Sequence, residues 1–227
     1  MSFLLFILFA AVAGIFAYFA WLANKRRREE LAQFAAANGL QFSAADPYDL
    51  PNFLRGIPTF SRGHSRKAYN VIHGPWSGRE VIAFDFQYTT GSGKNQHTYR
   101  LSACLQPVGL RLPNLVIRPE TFFDKLGAVV GFEDIDFESD EFSRKFHVQG
   151  PDRKFAYDVC HPQMMSWLLA NAGNFSIELI DSSLVLSTGS RWSPTDFHSA
   201  LCFSARFFEL IPEHVWREYR ERGSIAT

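Results

Sequence analysis

The chain has 227 residues, enough for one domain or two small ones, and its 47% hydrophobic and 20% charged residues exclude intrinsic disorder. Lys plus Arg and Asp plus Glu both total 23, so the formal net charge is zero. A nucleic-acid binder carries a basic excess, so no nucleic acid is expected as a partner. Three cysteines build no disulfide framework and fit a reducing compartment.

From Phe3 to Ala23 runs a stretch of 21 residues without a charge. As a helix rising about 1.5 Å per residue it spans about 31 Å, the thickness of a bilayer's hydrocarbon core. Tyr18 and Trp21 fall near one end, where amphipathic rings favour the interface. Lys25, Arg26, Arg27 and Arg28 follow directly. A cleaved signal peptide would need a positive n-region and a shorter apolar core, yet only Met1 and Ser2 precede this run. The segment therefore predicts a single-pass transmembrane helix. Four cations on its C-terminal flank predict the inner (cell) membrane, with the N-terminus outside and the rest in the cytoplasm. The lipid bilayer is the first expected partner, and the cluster also suits anionic lipid headgroups.

Residues 25–38 continue as a helix, with Leu31, Phe34, Ala35 and Asn38 at helical spacing and Gly39 as its stop. A turn-rich connector containing Asp46-Pro47 and Leu50-Pro51 comes next. From Ala68 the pattern turns to strands: 68–74 and 79–88 around a turn at 75–78, then 97–108 and 114–119. Val81, Ala83, Asp85 and Gln87 alternate with Ile82, Phe84, Phe86 and Tyr88, which makes the second face the strongly apolar one. The connections are too short for parallel crossovers, so the sheet should be antiparallel.

Residues 120–127 read as a short helix and 154–160 as a strand. Pro162 opens a helix over 163–171, and 175–180 with 184–188 form a hairpin. The final helix opens at Ser193-Pro194, is interrupted at Pro212, and gives way to a polar, fraying tail. The class is α+β: an N-terminal transmembrane helix followed by a mainly antiparallel sheet domain with packed helices. The expected division is a transmembrane helix over 3–23, a juxtamembrane helix and connector over 24–59, the α+β cytoplasmic domain over 60–212, and a polar C-terminal tail over 213–227.

Motifs that carry chemistry are weak. Gly91-Ser92-Gly93-Lys94-Asn95 resembles part of a phosphate loop, but Tyr88 stands where the first Gly belongs and Asn95 where Ser or Thr belongs. It reads as a hairpin loop. The stretch Glu133–Glu141 holds six carboxylates, yet Ser139 and Lys145 occupy the places of the Gly and the bidentate Glu of a calcium loop. Phe132, Ile135, Phe137 and Phe142 interleave with those acids, as in a segment packing one side on a core. The seven histidines show no zinc spacing, and Cys104 and Cys202 read as small core residues. No catalytic, cofactor-binding or metal-ligating residue is assigned, and no cofactor is expected. The functional residues assigned are those of the membrane anchor and its topology: Phe3, Trp21, Ala23, Lys25, Arg26, Arg27 and Arg28.

The order of segments resembles a family of uncharacterised bacterial single-pass membrane-anchored proteins. The likeness lies in RRREELAQFAAANGLQFSAADPYDLP, NVIHG, the Gly-Ser-Gly-Lys loop, LVIRPETFFDKLG and DIDFESDEFSRKF, across most of residues 26–212. It implies membrane anchorage and supplies no catalytic residues. The expected function is a membrane-anchored cytoplasmic binding or scaffolding domain with a protein partner. Two alternatives stand beside it: a membrane-tethered hydrolase using His161 or His147 with Asp158, and an apolar-ligand domain with a Phe-lined cavity.

Overall fold

The computed structural model describes residues 2–120 and 132–225. Helix α1 (Ser2–Ala37) is unbroken over 36 residues. Its most apolar window is entirely unburied, unlike the core helix of a soluble domain. Within a turn of the basic cluster the same helix enters the core, with Leu31 and then Ala35 buried. It stops at Gly39, whose φ of +68° is left-handed, while the Leu40 amide donates to the Ala35 carbonyl at 2.8 Å. That pairing closes the helix end and turns the chain into the sheet.

The sheet comprises β1 (Gln41–Ala45), β2 (His64–Trp76), β3 (Arg79–Thr90), β4 (His97–Pro107), β5 (Leu115–Pro119), β6 (Glu133–Asp134), β7 (Phe146–Gly150), β8 (Ser176–Ile180) and β9 (Ser183–Ser187). Their order is β1-β2-β3-β4-β9-β8-β5-β7-β6, and every neighbouring pair is antiparallel. Two hairpins turn on two residues with positive φ: Ser77-Gly78 between β2 and β3, and Asp181-Ser182 between β8 and β9. That geometry matches the twist of the flanking strands.

Among the described residues the further α-helices are α2 (Leu50–Phe53), α3 (Asp140–Lys145), α4 (Arg153–Val159), α5 (Pro162–Asn171), α6 (Pro194–Leu210) and α7 (Glu213–Ile225). One sheet face, carrying Ile72, Ala83, Cys104 and Leu186, packs on the second half of α1 and on α4 to α7. The other, carrying Val71, Phe84, Phe86 and Val185, packs on Leu50, Leu54, Ile57 and Phe60. The α+β class and the antiparallel sheet are as the sequence predicts.

Several local expectations change. Residues 154–159 lie in helix α4 rather than a strand, with Cys160 as its C-cap, because Asp152 caps it by accepting from the Phe155 amide at 3.0 Å. Phe155, Ala156 and Val159 then share a buried helical face. The connector contributes strand β1 and helix α2, and residues after Pro212 form α7, with Val215 and Tyr219 buried, rather than fraying. On β3 both faces are buried, including Asp85. Residues 121–127 of the expected helix at 120–127 lie outside the described residues.

Candidate functional site

The four cations after the apolar run diverge once the helix is built. Arg27 sits one turn before Leu31 and two before Ala35, so it shares their sheet-facing stripe. Its guanidinium grips Asp85 on β3 in bidentate fashion, Nε to Oδ2 at 2.7 Å and Nη2 to Oδ1 at 2.6 Å. A third donor, Nη1, reaches the Trp192 carbonyl at 3.0 Å. Asp85 has no exposure and collects two more donors, Asn70 Nδ2 at 2.9 Å and Ser102 Oγ at 2.6 Å. Ser102 in turn accepts the Trp192 amide at 2.9 Å. Burial opposes the charge on Arg27, but the Asp85 carboxylate outweighs it and raises the guanidinium pKa. The network ties α1, β2, β3, β4 and the start of α6 into one unit.

The other cations face outward. Lys25 lies over the Trp21 ring at 5.6 Å and pairs with exposed Glu29 at 3.9 Å. Arg26 is exposed. Arg28 borders an open cleft of about 950 Å³ between the membrane-side end of the juxtamembrane helix and the near end of the sheet. Ala20, Ala23 and Asn24 form its α1 wall; Lys67, Asn70 and Arg100 come from β2 and β4. Trp21 is more than half exposed on α1, and Ala23 is exposed beside the cleft. Phe3 lies in the first turns of the helix.

A second buried ion pair lies on the opposite sheet face. Arg118 Nη2 donates to Glu178 Oε1 at 3.0 Å, Ser176 Oγ donates to the same oxygen at 3.2 Å, and Thr59 Oγ1 also donates to it. All four residues are buried, so this network fixes the 50–60 segment over the sheet.

The residues weighed for catalysis do not converge. Asp158 pairs with Lys154 at 2.9 Å and with His214 at 3.8 Å, not with His147 or His161. His161 Nε2 bonds the Leu210 carbonyl at 3.0 Å, and His147 lies 3.8 Å from Glu120. The hydrolase constellation is thus not formed. Cys202 is exposed, a correction to its expected core position, and its Sγ lies 3.7 Å from His198 Nδ1 one turn earlier on α6. Cys104 and Cys160 are buried, and burial pushes the Cys104 thiol up to about 12.

Lys94 lies in an exposed turn between β3 and β4, without a helix N-terminus that could hold phosphate. The acidic stretch hydrates its carboxylates while Ile135 and Phe142 are buried. Phe137 packs edge-on to Phe142 at 5.5 Å and to Tyr157 at 5.2 Å. Among the described residues no group of three His, Cys, Asp or Glu side chains could hold a metal. Among the described residues beyond the apolar run, most phenylalanines fill the two cores or pack against them, as Phe60, Phe84 and Phe86 do. Phe175 and Phe203, with Trp167, border an open cleft of about 400 Å³.

The chain is therefore an α+β domain on a long apolar N-terminal helix, with that helix built into the domain's core. No protein-family model matches it, and no curated protein does. Its fold is similar to the crystal structure of the mycobacterial trehalose monomycolate transport factor A, TtfA, with a TM-score of 0.60 and 10% identity. The match covers 82% of this chain and 96% of that one, so the likeness is one of whole fold rather than of a shared motif.

Proposed function

We propose that the chain is a single-pass inner-membrane protein, N-terminus outside, whose α+β domain stands in the cytoplasm as a binding or scaffolding module. Helix α1 carries this reading: its unburied apolar span runs without a break into a core-packed segment. An anchor on a flexible tether would let the domain wander, whereas this one holds it at the bilayer. The cations at 25–28 favour the cytoplasmic side. The fold shared with a transport factor supports an accessory role beside other membrane components, and such a role needs no catalytic group. The expected partners are the bilayer, anionic lipid headgroups and a membrane protein.

Orientation is tested by fusing after Thr227 a pair of reporters, one active in the cytoplasm and one in the periplasm. Cytoplasmic signal is expected, and periplasmic signal would reverse the placement. Photo-crosslinking in intact cells should join the domain to another membrane protein. Crosslinks to lipid and to itself alone would sink the scaffolding role.

A further inference from the structure

We propose that the cleft beside α1 holds the headgroup of an anionic phospholipid bearing free hydroxyls, with the acyl chains remaining in the bilayer along the helix. The inference rests on α1 being the membrane span and extends that reading to a specific site.

Position is the first argument. The α1 wall includes Ala20 and Ala23, the last residues of the apolar run, and then Asn24 and Arg28. A molecule in the cleft thus lies where hydrocarbon gives way to headgroups, and its chains have a continuous apolar path along α1.

Charge is the second. Arg28, Arg66, Lys67, Arg100 and Arg191 all border the cleft, against the carboxylates of Asp46 and Asp49. Those two acids are engaged locally: Asp46 accepts the Tyr48 and Leu50 amides at 2.9 and 2.7 Å, and Asp49 accepts Asn52 Nδ2 at 2.6 Å. Arg66 is turned onto the carbonyls of Ser61, Arg62 and Gly63. Among the described residues, Arg28, Lys67, Arg100 and Arg191 make no hydrogen bond or ion pair with protein. Four uncompensated cations from a helix, two strands and a loop converge on one concavity, and guanidinium forks fit phosphate oxygens well.

A buried acceptor without a donor lies in the same cleft. Asn70 borders the cleft and is 3% exposed; its Nδ2 is committed to Asp85, and its Oδ1 has no partner among the described residues. A buried acceptor left unpaired is costly, and a ligand hydroxyl would satisfy it. Phosphate for the cations together with a hydroxyl for Asn70 describes a glycerol-type headgroup. A choline headgroup offers no such donor and brings a cation among cations.

The test uses the full chain released from detergent micelles into a mass spectrometer, with phosphatidylglycerol or phosphatidylcholine as the probe. One phosphatidylglycerol should stay bound in preference to phosphatidylcholine. The double variant Arg100→Ala/Arg191→Ala should lower its retention about tenfold or more, since a guanidinium hydrogen bond to a phosphate oxygen contributes about a decade or more in affinity. The control Lys25→Ala/Arg26→Ala removes equal charge from exposed positions of α1 outside the cleft and should change retention less than about threefold. Both variants carry exposed substitutions, and an unchanged melting temperature shows that they fold. Equal losses in the two variants would mean diffuse attraction and overturn the site. If glycerol phosphate in solution raises the melting temperature through Arg100 and Arg191 as strongly as the lipid does, the ligand is a free phosphate ester and the lipid assignment falls. The measurement is made in detergent, so a periplasmic C-terminus would reverse the proposed orientation without touching this result.

Discussion

Replacing Arg27 by Met isolates the contact that joins α1 to the sheet. The methionine keeps an apolar stem of similar length and removes two of the four side-chain donors that Asp85 receives, at 2.6 and 2.7 Å. Asp85 is fully enclosed, so water cannot replace them, and Asn70 and Ser102 alone remain to hold its charge. Breaking a buried pair from one side costs about 3–5 kcal/mol, mostly the penalty of the charge left behind. For a chain of this size, at about 2–4 °C per kcal/mol, the melting temperature should fall by about 10 °C. Asp85→Asn is the gentler change, because the Arg27 side chain is 16% exposed and keeps the Trp192 carbonyl. Its cost should be about 1–3 kcal/mol. The double variant Arg27→Met/Asp85→Asn should be less destabilised than the sum of the singles, since no unpaired charge is left inside. Tryptophan fluorescence during denaturation of the full chain in detergent measures all three, with Arg26→Met as the surface control. A loss below about 1 kcal/mol for Arg27→Met, or one equal to that of Arg26→Met, would refute the claim that this pair docks the helix.

Other outcomes follow from the same geometry. Phe142→Ala should cost about 3–5 kcal/mol because the ring has no exposure, whereas Asp136→Asn on the hydrated side should move stability by less than about 0.5; a calcium-dependent melting temperature lost in Asp136→Asn would make the stretch a metal site. Alkylation of the native chain near neutral pH should add one group, on exposed Cys202, and three after denaturation. Partial burial raises the Cys202 thiol pKa, so its thiolate fraction and reaction rate should keep climbing with pH beyond the range of a free cysteine; mass spectrometry finding Cys104 or Cys160 modified first would contradict the packing. Gln106 is fully buried on β4 with neither amide atom partnered among the described residues, so Gln106→Met should raise stability by about 1–3 kcal/mol; a lowered melting temperature would reveal an internal water that the amide holds.

The elements legible in the sequence are those written in local chemistry. Ser193-Pro194 announces helix α6, and the structure forms a full capping box there: Ser193 Oγ accepts the Asp196 amide at 3.3 Å and Asp196 Oδ2 accepts the Ser193 amide at 2.8 Å. Ser77-Gly78 and Asp181-Ser182 announce their hairpins because few residues accept positive φ. Helix α4 was hidden by composition: KFAYDVC is rich in strand-compatible side chains, and its cap, Asp152, sits in what reads as a plain turn. The docking site was hidden for a different reason. Arg27 looks like one of four equivalent cations until the helix phase is drawn from Leu31 and Ala35 backwards. Asp85 looks like one position of a polar strand face until helices cover that face. Both clues were local: a cation four and eight residues before two core positions, and one carboxylate within VIAFDFQY. The pairing itself joins residues 58 apart, and no periodicity carries that information.

The spacing along α1 also determines how closely the domain can sit to a membrane. Arg27 follows Ala23 by four residues, one helical turn, or about 6 Å of rise. The polar layer between hydrocarbon and bulk water is about 5–8 Å deep on each side of a bilayer. If residues 3–23 fill the hydrocarbon, the first contact between helix and sheet falls within the headgroup layer, with no linker to lengthen it. Arg27 then has two roles that pull the same way. As a cation it opposes transfer across the membrane, and as the partner of Asp85 it brings the sheet up to the bilayer surface. Swinging the domain away would require breaking a bidentate pair whose carboxylate has no access to water. On that placement Lys67 and Arg100, which border the cleft beside α1, would be held at headgroup level by the fold itself, where an ordinary flexible basic tail would only visit it.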